Sequence, residues 1–277
     1  MTGKQKKKLF FKNKVAVITG SSKGIGKATA RVFCEYGARI VINGRNRATL
    51  DRAVDEFLSA GCDVKGIASD VSTVEGSRRL IDESMSHFGR IDILVNNAGI
   101  SMRGNIDELD PLVFETMFSV NVMGSVYPLI YALPYIKISQ GSIVFISSVA
   151  GIRGLPGISA YSSSKMALRA IAESMRIELR EQNIHIGLIY VGYAKNEEDK
   201  LYMSSDGSFR PIKKRQKVKT LSHREIALAI LDNIYRRKFI KVLSGLGKLN
   251  SIMQRVSPQL VEWVLLMNLK KIRRMSS

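Results

Sequence analysis

The chain has 277 residues, 45% hydrophobic and 24% charged, an ordinary balance for a soluble domain with one sizeable core. Its formal net charge of +19 sits at the two ends: residues 1–14 hold six Lys and no acid, residues 206–277 hold 17 basic and four acidic residues, and the stretch between is neutral. Few aromatic side chains accompany the basic runs, which argues against a stacking surface for nucleic acid, so no nucleic-acid partner is expected.

Residues 1–13 read as a basic tail. Lys4-Gln5-Lys6-Lys7-Lys8 is followed only by Leu9, Phe10 and Phe11, too short an apolar run for a signal peptide, so the expected location is cytoplasmic. Val15-Ala16-Val17-Ile18 is a short apolar run of the kind buried on both faces in a parallel sheet. It runs into Thr19-Gly20-Ser21-Ser22-Lys23-Gly24-Ile25-Gly26 and then a segment with Ala28, Val32, Phe33 and Tyr36 at helical spacing: strand, glycine-rich turn, helix. Glycines let the backbone turn tightly and approach a pyrophosphate, whose charge meets the N–H groups of the helix starting near Gly24. Gly20, Ser22, Lys23, Gly24, Ile25 and Gly26 are therefore the first cofactor-binding candidates.

A second strand, Ala38 to Ile42, ends in Asn43-Gly44-Arg45-Asn46-Arg47. No carboxylate stands where an NAD enzyme would hold the ribose 2′-hydroxyl, whereas Arg45, Arg47 and Lys23 would attract a 2′-phosphate, so NADP(H) is the expected cofactor. A third strand, Val64 to Ala68, leads to Asp70-Val71, and a fourth, Ile91 to Val95, ends in Asn96-Asn97-Ala98-Gly99. Such small residues and amides suit the flat edge of an adenine and its ribose. Strands alternating with helical stretches predict right-handed crossovers and a doubly wound parallel sheet, with ligands beyond the strand C-termini. Cys34 and Cys62 form no Cys-x-x-Cys and share no ligand spacing with His87, His185 and His223, so both read as reduced structural thiols and no metal is expected.

Ser148 stands 13 residues before Tyr161, and Lys165 four residues after it. If Ala160 to Glu178 is helical, the phenol and the ammonium share a face. A free phenol has a pKa of about 10, and a nearby ammonium favours the phenolate, so Tyr161 is a candidate proton donor and acceptor. About 0.7 such Tyr-x-x-x-Lys pairs are expected by chance, so the weight of this one rests on the nucleotide-binding features before it.

With these motifs in this order, the sequence from about Lys14 to Gly245 resembles the short-chain dehydrogenase/reductase family, of the single-domain NADP(H)-dependent type. The resemblance rests on the glycine-rich turn, Asp70, Asn96-Asn97-Ala98-Gly99, Asn121, Ser148, Tyr161 and Lys165. It implies a Rossmann-type α/β fold, a parallel seven-stranded sheet with helices on both faces. It implies that Tyr161 is the general acid and base, that Lys165 lowers its pKa while binding the nicotinamide ribose, and that Ser148 bonds the carbonyl oxygen. Asn121 would kink its helix and hold a water linking Lys165 to solvent. Gly20, Ser22, Lys23, Gly24, Ile25, Gly26, Arg45, Asp70, Val71, Asn97, Ala98, Gly99, Tyr161, Lys165 and Gly192 would line the cofactor. Most members carry Pro-Gly and then Thr after the sixth strand, Ile184 to Ile189; here Val191-Gly192 and Asn196 stand there. Gly192 keeps the turn, and Asn196 replaces the Thr at the nicotinamide carboxamide. The implied reaction is hydride transfer between a ketone and a secondary alcohol. Helices around Asp110 to Tyr135 and Gly157 to Arg180 pair between subunits in many members, so a homodimer or homotetramer is implied.

The resemblance implies that residues 193–220 close over the substrate as a lid; they carry Tyr193, Leu201, Tyr202, Met203 and Phe209 bordered by the basic run Lys213 to Lys219, which suits a bulky lipophilic ketone. After a helix from Ser222 to Arg237 and a last strand, Phe239 to Leu243, residues 246–277 read as a basic amphipathic C-terminal helical extension. It has Leu249, Ile252, Met253 and Val256 at helical spacing, Ser257-Pro258 as a cap and first turn, and a cationic end, Lys270-Lys271-Ile272-Arg273-Arg274. Glu262 and Asn268 interrupt it too often for a bilayer span. It suits an anionic membrane surface, at about 1 kcal/mol per nearby cation, against the plainer reading that it packs on the core or a neighbouring subunit. This extension resembles that of the membrane-associated lipid reductases of the family, the 3-ketodihydrosphingosine reductase-like enzymes, so a 3-keto sphingoid base is the expected type of substrate. The alternatives are a 3-oxoacyl-carrier-protein reductase, a hydroxysteroid-type dehydrogenase, or, in another class, a non-catalytic NADP-binding regulator or membrane scaffold.

Overall fold

The computed structural model describes residues 1–195, 200–212 and 220–269. Asn196, the basic run Lys213 to Lys219 and the cationic end from Lys270 lie outside the described residues. In chain order the elements are α1 (Gly3–Phe11), β1 (Val15–Ile18), α2 (Gly24–Glu35), β2 (Arg39–Gly44), α3 (Arg47–Ser59), β3 (Val64–Ala68), α4 (Val74–Phe88) and β4 (Ile93–Asn96). They continue with α5 (Pro111–Phe118), α6 (Gly124–Ser139), β5 (Ser142–Ser148), α7 (Ser159–Glu178), β6 (His185–Val191), β7 (Leu201–Met203) and β8 (Phe209–Pro211). Last come α8 (His223–Tyr235), β9 (Ile240–Val242), α9 (Gly245–Val256) and α10 (Pro258–Met267).

Seven strands form one parallel sheet in the order β3-β2-β1-β4-β5-β6-β9, the Rossmann-type doubly wound arrangement. The continuous apolar runs follow from burial on both faces: Val17 pairs with Val41 on one side and Leu94 on the other, and all four residues of β1 are inaccessible. Side chains alternate between two cores. Ala16, Ile18, Ile40 and Val95 pack under α2, α3 and α8, while Val15, Val17, Val41 and Leu94 pack under α4, α6 and α7. The order reverses between β1 and β4, which opens a crevice beyond their C-terminal ends.

Two expectations are corrected here. Residues 3–11, read as part of a tail, form α1, started by a capping box in which Thr2 Oγ1 accepts from the Gln5 amide and Gln5 Oε1 from the Thr2 amide. Phe11 is fully buried against Phe33, Phe10 meets the edge of Tyr235, and Lys7 Nζ pairs with Asp232 at 2.8 Å. The helix is thus pinned to α8 on its polar side and to the core by its two phenylalanines. The cysteines are not free: Cys34, at the end of α2, and Cys62, just before β3, form a disulfide. The crossover from α2 through β2 and α3 brings these two chain positions to one edge of the sheet, a proximity that spacing along the sequence does not show.

The stretch Pro111–Ser139 is long and apolar enough to cross a membrane by length and composition, yet Val113, Met117, Leu129, Ala132 and Ile136 are buried in the two-layer packing. Within the expected lid, β7 and β8 form an antiparallel hairpin fastened to the segment after β4: Met203 N donates to Ser101 O at 2.8 Å, Arg103 N to Met203 O at 2.9 Å, and Asp110 N to Ser205 O at 2.9 Å. Pro258 occupies the first turn of α10, but the Ser257 side chain makes no capping bond.

Candidate active site

The turn after β1 is built from the ends of three neighbouring strands. Gly20 and Gly24 adopt φ of 60° and 62°, a left-handed conformation that side chains disfavour. A methyl group on Gly20 would also lie 2.9 Å from the Ala98 Cα. Thr19 Oγ1 accepts from the amides of Asn97 and Ala98, and Asn97 Nδ2 donates to the carbonyls of Thr19 and Gly20, all at 2.9–3.0 Å. Asn97, expected to line the cofactor, thus uses its amide to hold the turn against β4. Asn43, fully enclosed at the end of β2, accepts from Gly20 N at 3.2 Å and donates to the carbonyls of Ile67 and Ser69 at 3.1 Å. Neither Thr19 nor Asn43 was singled out by sequence reasoning, although both are polar residues inside or just after apolar strand runs.

Gly24, Ile25 and Gly26 form the first turn of α2, where no side chain caps the helix from Lys23 and no acidic residue stands in the first turn. A helix N-terminus that receives no bond from its cap side chain, next to a glycine turn, fits the phosphates of a dinucleotide. Ser22 lies at the end of β2, its Oγ 2.8 Å from where a side chain on Gly44 would start. Asp70, expected to line the cofactor, is held by its neighbours: Oδ1 accepts from the amide and hydroxyl of Ser72 at 2.9 and 2.6 Å, and Oδ2 is 3.6 Å from Arg45 Nη1. Burial raises its pKa, but Ser72 and Arg45 outweigh that and hold the carboxyl below its ordinary range. Val71 is buried in the core under α4. Arg47 lies instead along α3 in an ion pair with Asp51 at 3.0 Å, one helical turn away.

Across the crevice, β5 ends in Ser148, whose Oγ accepts from Ala150 N at 3.2 Å. The short turn Val149–Gly151 packs on α7 so closely that a side chain at 151 has no room: a methyl there would lie 2.8 Å from the Lys165 carbonyl oxygen. Tyr161 and Lys165 stand one turn apart on α7, with Lys165 Nζ 5.9 Å from the centre of the phenol ring. Lys165 is only 5% exposed and donates to Ile146 O at 3.1 Å. Burial, with the charge of Lys200 adding to it, lowers its pKa from 10.5 to about 8.

Asn121 sits inside a π-helical turn, Ser119–Met123, between α5 and α6. Its Oδ1 accepts from Ile100 N at 2.8 Å, and its Nδ2 donates to Ile100 O at 3.1 Å and to Ser164 Oγ at 2.9 Å. Ser164 in turn donates to the Tyr161 carbonyl at 2.8 Å. Ser147 Oγ donates to the Lys165 carbonyl at 3.0 Å. These two serines were missed; Ser164 lies three residues after Tyr161, a helical spacing that sequence reading can detect. Gly99 joins the cofactor side to this cluster, since a methyl on it would lie 2.9 Å from Asn121 Oδ1 and 3.2 Å from Lys165 Nζ. Gly192, just beyond β6, packs against the Ser244 side chain at the start of α9. Beside Tyr161 a separate apolar cluster gathers Met102, Met117, Ala160 and Met203 with Phe114 and Ile158.

The family profile for short chain dehydrogenases matches residues 14–202. The chain is 33% identical over 260 residues to an 11-beta-hydroxysteroid dehydrogenase 1A of Arabidopsis thaliana, covering 90% of this chain and 74% of the relative. It is 36% identical over 199 residues to the 3-ketodihydrosphingosine reductase of Bos taurus, covering 66% of this chain and 59% of that protein. Among solved structures, an alcohol dehydrogenase from Thermococcus sibiricus complexed with 5-hydroxy-NADP superimposes with a TM-score of 0.73 at 26% identity, over 84% of this chain and 96% of that one. A short chain dehydrogenase/reductase from Burkholderia phymatum in complex with NAD shares the fold with a TM-score of 0.79 at 24% identity, over 90% and 95% of the two chains. Profile, relatives and fold agree with the glycine turn and the α7 cluster: the chain is an oxidoreductase that belongs to the short-chain dehydrogenase/reductase family.

Proposed function

We propose that the chain interconverts a ketone and a secondary alcohol of a bulky lipophilic molecule, using NADP(H). The observation that carries the reading is the buried Lys165 ammonium beside the Tyr161 ring, joined through Gly99 to the dinucleotide crevice. A nicotinamide dinucleotide bound there supplies or accepts the hydride. In the reducing direction Tyr161 gives its phenolic proton to the substrate oxygen, Ser148 donates a hydrogen bond to the same oxygen, and the Lys165 charge stabilises the phenolate left behind. Asn121 holds Ser164, and through it the backbone at Tyr161, in place.

NADP(H) is favoured over NAD(H) because β2 ends without a carboxylate and with Arg45 on the adenosine side. A lipid-like substrate is supported by the methionine-rich apolar cluster beside Tyr161 and by relatives named for steroid and ketosphinganine chemistry. A 3-keto sphingoid base or a steroid is the preferred class. Exposed Ile130, Ile138 and Ile177 on α6 and α7 support self-association of the chain. An anionic membrane surface is the second partner. The Cys34–Cys62 disulfide favours an oxidising compartment rather than the cytoplasm.

The test is oxidation of NADPH against 3-keto sphingoid bases, acyl thioesters and steroids, with Tyr161→Phe beside the wild type. Turnover by the variant is expected to drop by about 10²–10⁴-fold with NADPH affinity nearly unchanged. Near-normal turnover by Tyr161→Phe on the best substrate would overturn the reading.

A further inference from the structure

The C-terminal helices turn large apolar residues outward: α9 against a mostly polar inner face, α10 against an inner face of half-buried Val261 and Leu265. On α9 the residues turned toward the body are Gly247, Asn250, Ser251, Met253 and Gln254, buried or half-buried and all but Met253 small or polar. The residues turned outward are Leu246, Leu249, Ile252 and Val256, with Leu246 79% and Val256 76% exposed. α10 buries no residue at all, and Leu260, Trp263, Val264 and Met267 lie open on it. A helix packed for water does the reverse, and an exposed apolar surface of this extent marks a contact with something apolar.

The helices are nevertheless firmly placed. Arg153, five residues after Ser148, donates through Nη1 to Gln254 Oε1 at 2.8 Å and to Pro258 O at 3.0 Å, and through Nη2 to Glu262 Oε2 at 3.4 Å. One guanidinium thus fastens α9, the corner and α10 to the loop that follows Ser148. Gly247 sits so close to Val149 that a methyl on it would lie 2.7 Å from Val149 Cγ1, and Ser244, which caps α9 through the Gly247 amide at 3.0 Å, lies against Gly192. The apolar surface therefore starts at the rim of the active site.

Charge selects the occupant. Residues 245–269 contain one acid, Glu262, already bonded to Arg153, together with Lys248 and Arg255, and the sequence goes on with Lys270, Lys271, Arg273 and Arg274. Apolar residues bordered by cations match the acyl boundary and headgroups of an anionic bilayer.

We propose that the α9–α10 pair docks on an anionic lipid bilayer while the Arg153 clasp keeps it in register with the Ser148 loop, so that a lipid ketone passes from the bilayer to Tyr161 without crossing water. The delivery step rests on the lipophilic-substrate reading above; the docking step does not.

Trp263, 58% exposed on α10, is the only tryptophan in the chain, so its fluorescence reports on this surface alone. The full-length protein is mixed with vesicles of phosphatidylcholine, with or without phosphatidylglycerol, in plain and brominated acyl-chain forms. The expected result is a blue shift and bromine quenching of Trp263 with the phosphatidylglycerol vesicles, with binding at least about tenfold weaker on phosphatidylcholine alone. The double variant Leu249→Glu/Ile252→Glu is expected to lose binding by about tenfold or more while turning over a water-soluble ketone as the wild type does. Arg153→Ala is expected to keep vesicle binding and soluble-ketone turnover but to lose turnover of a ketone dissolved in the bilayer. Absence of quenching with every vesicle, or binding unaffected by the double variant, overturns the docking. So does light scattering that shows the double variant converting a dimer to a monomer, which would assign the surface to a second copy. Unchanged bilayer-ketone turnover in Arg153→Ala overturns the clasp. Quenched Trp263 with no ketone turned over from any source leaves docking standing and sinks the catalytic reading instead.

Discussion

Lys165 Nζ lies 5.9 Å from the centre of the Tyr161 ring and is held there by the Ile146 carbonyl. Burial, with the charge of Lys200 adding to it, is why its pKa falls to about 8. Below pH 8 both folded and unfolded chains hold the Lys165 proton, and the folded state bears the full cost of a buried charge. Between about 8 and 10.5 the unfolded chain binds more protons, so this residue makes stability rise with pH across that window. Denaturant melts of wild type and Lys165→Met should accordingly converge or cross as pH is raised through it. Activity should run the other way. The charge that stabilises the Tyr161 phenolate is lost above about pH 8, so kcat/KM for ketone reduction should fall on that limb, and Lys165→Arg, which keeps its charge, should not show it.

Ser164 is expected to behave as a positioning residue. It accepts from Asn121 Nδ2 and donates to the Tyr161 carbonyl, so Ser164→Ala leaves a buried amide short of a partner, at about 1–3 kcal/mol of stability. Turnover should drop roughly tenfold through displacement of α7 relative to the π-turn, while NADPH affinity, measured by fluorescence titration, should barely move. Loss of NADPH binding in parallel with turnover would show that Ser164 supports the whole crevice instead.

Much of this was legible locally. The run Val15 to Ile18 buried on both faces, the glycine spacing at 20, 24 and 26, and the Tyr161–Lys165 turn each express short-range geometry, and the structure has all three. The strand limits moved by a residue or two, with β4 starting at Ile93 and β6 running on to Val191, because pairing with neighbours rather than composition ends a strand. What was hidden depends on contacts between distant positions. Six N-terminal lysines mask the fact that Phe10 and Phe11 anchor a helix, because Asp232 and Tyr235 lie far along the chain. Asn97 sits in a motif that suggests ligand contact, yet its amide bonds the Thr19 and Gly20 carbonyls. Arg153 gave no signal at all, since its three acceptors belong to helices about a hundred residues later.

The proposed preference for NADP(H) rests on Arg45. Its guanidinium stands 3.6 Å from Asp70 at the adenosine end, and it is well exposed, so its removal should cost little stability. Arg45→Ala should weaken NADPH binding by roughly 10–100-fold, the scale of one charge-assisted bond to phosphate, and leave NADH binding close to wild type. Equal weakening of both cofactors would mean that Arg45 acts only by holding Asp70.

The disulfide offers a test that does not involve catalysis. It closes a segment of 28 residues that contains β2, α3 and the turn at Arg45, joining the far end of α2 to the entry of β3. Loop closure of that length contributes about 3.5 kcal/mol by restricting the unfolded chain, which corresponds to a fall in Tm of roughly 7–14 °C for a domain of this size when it is opened. On the reading that the cofactor phosphates bind at the N-terminus of α2, opening the bond should loosen the adenosine half more than the α7 cluster. Cys34→Ser/Cys62→Ser is therefore expected to melt earlier and to raise the NADPH Kd while kcat at saturating cofactor stays near wild type. A thermal melt of the wild type with and without reductant gives the same comparison without mutation. An unchanged Tm in both experiments would show that the bond adds nothing to the fold's stability.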